Sequence, residues 1–148
     1  MECKPIGIIH SPYKTGDKVP HQVRFSNDPA EIEVYPEYEE GLQDIEGFSH
    51  ILVTWVLHQS KGYSLITDTP HDTVKHGVFA TRSPNRPNPL AVSVTELVSR
   101  KGRILSVKGI DAIDGSPVLD IKPYITNIDD VSGVRLGWFG ASKKRSSA

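Results

Sequence analysis

The sequence predicts an all-β domain, a barrel or a sandwich, with one short helix and no Rossmann sheet. Three observations point there. Apolar and polar residues alternate at period two rather than 3.6 through most of the chain. Roughly seven short strand-like runs follow one another, separated by turn residues. The 148 residues, 37% apolar and 24% charged, have the size and balance of one ordinary globular domain.

Taken in order, Lys4–His10 is a short β-like run around Ile6, Ile8 and Ile9. Ala30–Tyr38 alternates Glu31, Ile32, Glu33 and Val34, the pattern of a half-buried strand with a wet outer face. Glu39–Phe48 spaces Leu42, Ile45 and Phe48 three apart, which suits a short helix or 3₁₀ segment packed on the sheet. His50–His58 is apolar on both faces and rich in β-branched residues, so it reads as a central strand. Val74–Thr81, Ala91–Val98, Arg103–Gly109 and Val118–Ile125 complete the set. Lys101-Gly102 closes a hairpin between the runs on either side, and Asp114-Gly115 is the strongest hairpin signal in the chain. The domain is expected over residues 1–140, followed by a basic, disordered tail over 141–148.

Several function classes drop out. No G-x-G-x-x-G follows a strand and no G-x-x-x-x-G-K-[ST] occurs, so dinucleotide and P-loop sites are not expected. No apolar run approaches the ~20 residues of a membrane span. The N-terminus has no signal-peptide apolar region, and Cys3 is the single cysteine. A cytoplasmic protein without internal disulfide is therefore expected. No metal is expected either: His71 and His76 are five apart with no carboxylate–histidine pattern, and Asp111, Asp114 and Asp120 do not fit a calcium loop.

The net charge of −1 hides an asymmetry. From Phe25 to Ser60 there are eight acids and no Lys or Arg, whereas Thr73 to Thr95 holds Lys75, Arg82 and Arg86 and no acid. This is either two solvated surfaces or a local site for an anionic partner. The stretch 82–89 carries Pro84, Pro87 and Pro89, which force an extended, stiff loop. Between the prolines stand only polar side chains, Ser83, Asn85, Arg86 and Asn88, with Arg82 just before. A connector needs neither two arginines nor two asparagines. Donors and acceptors fixed on a loop with little entropy left to lose make a preorganised site.

GVFATRSPNRPNPLAVSVTEL at 77–97, followed by DAIDGSPVLDIKPYI at 111–125, resembles the signature of the TrmO family (TsaA-like or YaeB-like). The resemblance extends to IGIIHSPYK at 6–14, VPHQ at 19–22, GLQDIEGFSHI at 41–51 and His58-Gln59, and reaches about Trp138. It implies a single β-barrel and a homodimer. It also implies an S-adenosylmethionine-dependent methyltransferase acting on N6 of N6-threonylcarbamoyladenosine at tRNA position 37, in the anticodon loop. Some members carry a second, C-terminal domain, and this sequence is expected to lack one.

Residue by residue, the family's Pro-Arg-Gln falls on Pro20, His21 and Gln22, with His21 in place of the arginine. The resemblance assigns Pro20, His21, Gln22, His58, Gln59, Arg82, Asp114, Gly115 and Ser116 to the methyl donor, Ser116 standing for a threonine. Arg82 has a phosphate of tRNA as its second possible partner. Asn85, Arg86, Asn88, Lys122 and Tyr124 are assigned to the RNA. Ala91 replaces a glycine usual after Asn-Pro-Ile, here Asn88-Pro89-Leu90. Arg86 is the natural bidentate partner for the threonylcarbamoyl carboxylate. No general base is assigned; Asp114 and Asp120 are the candidates, each with an alternative role in a turn or strand end. Two other functions stay open: a non-catalytic RNA-binding barrel, and a methyltransferase for another RNA or a small molecule.

Overall fold

The structure, a computed structural model, describes residues 1–14 and 28–146, with side chains at that end through Ala141. Pro20, His21 and Gln22 lie outside the described residues. Among the described residues eight strands follow in chain order: β1 (Gly7–His10), β2 (Pro29–Val34), β3 (His50–Val56), β4 (Ile66–Thr69), β5 (Asp72–Gly77), β6 (Leu90–Lys101), β7 (Ile104–Lys108) and β8 (Pro117–Pro123). The chain divides into two compact units, one of residues 1–59 with 90–124 and one of residues 60–89 with 125–148.

The first unit is a closed barrel of six antiparallel strands in the order β1-β2-β7-β6-β3-β8. Closure decides between barrel and sandwich, and it leaves no open edge. The period-two alternation drives it. Ile51, Val53 and Trp55 of β3 point inward with Ile9, Ile32, Val34, Leu105, Val107 and Val118, all nearly or fully buried. Trp55 carries the only polar atom its ring brings into the core, and its Nε1–H donates to Ser93 Oγ at 3.0 Å. Gly7 is required by space: a Cβ there would run into the Glu33 carbonyl oxygen across the β1–β2 pair.

The Lys101-Gly102 turn joins β6 to β7 as predicted, Gly102 having φ +59°. The Asp114-Gly115 turn also forms, with Gly115 at φ +88°. It closes no hairpin, however: β7 pairs with β2 and β6, while β8 pairs with β1 and β3. The short helix or 3₁₀ segment expected over 39–48 is two 3₁₀ segments, Pro36–Leu42 and Ile45–Gly47. Asp44 at φ +73° breaks them apart.

The second unit contains the β4–β5 hairpin, a 3₁₀ turn at Val78–Ala80, and helices α1 (Thr126–Asp129) and α2 (Gly137–Ser146). The expected strand over 74–81 is thus half β5 and half 3₁₀ turn, and it belongs to the hairpin rather than the barrel. Helix α2 runs through most of the segment expected to be a disordered tail. Among the described residues no helix is long and apolar enough to cross a membrane.

Candidate functional site

The barrel's polar corner lies where β3 ends and β8 begins. His58 and Gln59 follow β3 and are exposed. Facing His58 is the Asp114-Gly115-Ser116 turn, bound by its backbone to the end of β1. Gly115 N–H donates to Ile9 O at 2.8 Å, Asp114 N–H to Tyr13 O at 2.7 Å, and Ile9 N–H to Ser116 O at 2.9 Å. These bonds explain why the turn closes no hairpin, since its partner is the N-terminal strand.

Ser116 is buried and its hydroxyl donates to Ile113 O at 2.6 Å. His58 Nδ1 lies 3.3 Å from the same hydroxyl oxygen. A Cβ at Gly115 would meet only His58 Nε2, at an ordinary 4.0 Å, so the glycine is called for by its φ of +88° and places that ring edge beside the turn. The Asp114 carboxylate accepts the Ser11 N–H at 3.0 Å and the Lys14 ammonium at 2.8 Å. The Lys14 bond, then the Ser11 bond, hold its carboxyl below the usual carboxylate range. A carboxylate so stabilised in its charged form is a weak base. Asp120 pairs with Lys122 at 2.8 Å, which raises the Lys122 ammonium. Tyr124 follows β8, its N–H bonded to His50 O at 3.1 Å.

In the second unit, the proline loop is braced from within. Thr81 Oγ1 donates to Val78 O at 2.9 Å and accepts Ser83 N–H at 3.2 Å. Ser83 Oγ accepts Asn85 N–H at 3.2 Å, and the Ser60 hydroxyl donates to Pro84 O at 2.7 Å. Arg86 Nη1 donates to the Thr81 and Ser83 carbonyls at 2.9 and 3.2 Å. Half of the Arg86 fork is therefore structural, and its Nε–Nη2 edge remains for a ligand. Arg82, Asn85 and Asn88 are exposed, and among the described residues Arg82 has no ion-pair partner.

Below this loop is a cluster the sequence reading did not anticipate. The His76 ring stacks on Trp138 with centroids 4.1 Å apart and 15° between planes. His76 Nε2 is 3.2 Å from the nearly buried Asp72 carboxylate. Trp138 Nε1–H donates to Ala80 O at 2.8 Å, two residues before the 82–89 loop begins. His71 meets Phe139 edge-on at 5.1 Å. The two histidines weighed as metal ligands are thus engaged with aromatic rings of α2. The signal available in sequence was only the adjacent Trp138-Phe139 pair in an otherwise polar segment.

A family model, the tRNA-methyltransferase O N-terminal domain, matches residues 8–130, most of the chain and nearly the whole barrel. The chain belongs to this family. An S-adenosyl-L-methionine-binding protein of Archaeoglobus fulgidus is 43% identical over 132 residues, covering 89% of this chain and 95% of the relative. A second protein of that organism, a probable S-adenosyl-L-methionine-binding protein, is 49% identical over 146 residues but is matched over 40% of its own length. The Escherichia coli tRNA (adenine(37)-N6)-methyltransferase is 36% identical over 136 residues, 84% of this chain and 58% of that enzyme. A crystal structure of TrmO superposes with a TM-score of 0.78 at 34% identity, over 93% of this chain and 61% of that one. The chain therefore spans less than two thirds of the methyltransferase and TrmO chains, and nearly all of one donor-binding relative.

Proposed function

We propose that the chain is an S-adenosylmethionine-dependent tRNA methyltransferase that methylates N6 of the adenosine at position 37. The observation that carries this reading is the polar corner of His58, Gln59 and Asp114–Ser116, kept on a barrel that matches the family model over residues 8–130. The corner fits a donor that carries an amino acid, a ribose and an adenine. Gln59 offers both amide donor and acceptor, Asp114 a charged acceptor, and Gly115 a backbone edge without a side chain. When bound, the donor supplies a methyl group already activated by its sulfonium.

Finer parts of the reading follow from the resemblance. His58, Gln59, Asp114, Gly115, Ser116 and Arg82, with Pro20, His21 and Gln22, serve the donor. Asn85, Arg86, Asn88, Lys122 and Tyr124 serve the anticodon loop of a cytoplasmic tRNA. The substrate is the N6-threonylcarbamoyl form, and the Nε–Nη2 edge of Arg86 receives its carboxylate. The internal bonds of the proline loop support this role, because they fix the arginine before RNA arrives and reduce the entropy lost on binding. The enzyme acts as a homodimer. Support for the dimer is the outer face of β6, where Val92, Val94 and Val98 are 59%, 46% and 54% exposed.

Thermal melting with S-adenosylmethionine and S-adenosylhomocysteine tests the donor site. Ligand at ~100 times its Kd adds about 2.7 kcal/mol, a rise of several degrees for a domain of this size. Labelled-methyl transfer to tRNA with and without the threonylcarbamoyl group then tests the substrate, and Arg86→Ala should lose the preference for the modified base. No melting shift at millimolar donor overturns the reading.

A further inference from the structure

We propose that His58 Nε2 accepts the proton that the substrate N6 loses on methylation, with Ser116 as the positioning residue that fixes the imidazole tautomer. The proposal rests on the methyltransferase reading above. Its basis is the direction of two hydrogen bonds. Ser116 Oγ lies 2.6 Å from the Ile113 carbonyl oxygen, which has no hydrogen to give, so the hydroxyl proton lies on that line. A serine hydroxyl has one proton and two lone pairs. The 3.3 Å contact to His58 Nδ1 therefore runs from the imidazole N–H to a hydroxyl lone pair. Ser116 is buried, with 1% of its surface exposed, so water does not compete for that geometry.

With its proton on Nδ1, the neutral ring has its lone pair on Nε2. That nitrogen lies beside Gly115, and His58 itself is exposed to an incoming base. The two carboxylates weighed earlier are less suited. Asp114 is occupied by Ser11 and Lys14, and Asp120 by Lys122. The substrate needs an acceptor: its N6 is part of a urea, holds one hydrogen, and delocalises its lone pair. As the new N6–carbon bond forms, the carbon–sulfur bond breaks with its electron pair left on sulfur. The N6–H pair stays on N6 while the proton moves to Nε2. The resulting imidazolium returns the proton to solvent.

Nitrogen-15 NMR of the histidine rings, with His58→Gln identifying the resonance, reads the tautomer without donor or substrate. The expected result is a protonated Nδ1 and a bare Nε2, preserved in Ser116→Thr and mixed in Ser116→Ala. In transfer assays, His58→Gln should lose about 10²–10⁴-fold in kcat, the range for a positioned acid or base, and recover part of it with added imidazole. Donor affinity by calorimetry should fall by a smaller factor than kcat, His58 being one of several residues assigned to the donor. A proton on Nε2, an unchanged kcat, or a fall in donor affinity that matches the fall in rate would overturn the proposal. Wild-type protein that binds donor but methylates no tRNA would overturn the methyltransferase reading itself, and the proton-acceptor role with it.

Discussion

Asp114 shows how a residue's surroundings decide what its chemistry is for. Two donors hold it ionised, so it anchors the turn instead of moving a proton. Because its folded pKa is depressed below about 3.8, it adds stability above that value and loses it as pH falls through the lower folded value. Asp114→Asn should therefore lower stability at neutral pH by about 0.5–1 kcal/mol, the range for a largely exposed pair. Its melting temperature should also fall less steeply than wild type below pH 4, readable in a pH series of thermal melts. A matching acid limb in wild type and variant would contradict this assignment. The Asp114-Gly115 turn was legible because glycine tolerates positive φ; its partner was not, since pairing with the distant β1 leaves no local mark. Arg86 was legible as a fixed arginine, but its use as a loop brace was not: composition tells what a fork can bind, not which carbonyls fold back to meet it.

Among the elements, strands read better than helices. Alternation marked β2, because the pleat sends alternate side chains into one core, while β3 was marked by its β-branched apolar run. The 39–48 segment has a helical spacing, but Gly41, Gly47 and left-handed Asp44 reduce it to 3₁₀ turns. Helix α2 lacks an apolar stripe, and its residues from 141 onward fall in the segment expected to be a tail. What holds it is specific: the Trp138 ring on His76 and the indole N–H on Ala80 O. Trp138→Phe keeps a ring to stack and removes the N–H, so it should cost about 0.5–1.5 kcal/mol in a thermal melt. Trp138→Ala removes both contacts and should cost more. Equal stability of the two variants would show that the stack contributes nothing.

At the scale of the whole molecule, closure leaves the six barrel strands without a free edge, so the proposed dimer is drawn from a barrel face. The β6 valines supply one. Val94→Asp, on that face, should convert a dimer to a monomer in light scattering while leaving the barrel's circular dichroism unchanged. A wild-type protein that is already monomeric at micromolar concentration removes the dimer from the account. The register of β3 against β6 has a consequence of a different kind. Val56 and Leu90 are direct partners, so the chain leaves the barrel and re-enters it across one rung of the ladder. To the barrel, residues 57–89 are a bight of rope tied off at a single cleat. Their length can change without shifting any rung of β3 against β6, and His58, Gln59, Arg82, Asn85, Arg86 and Asn88 are the parts such a change must leave in place.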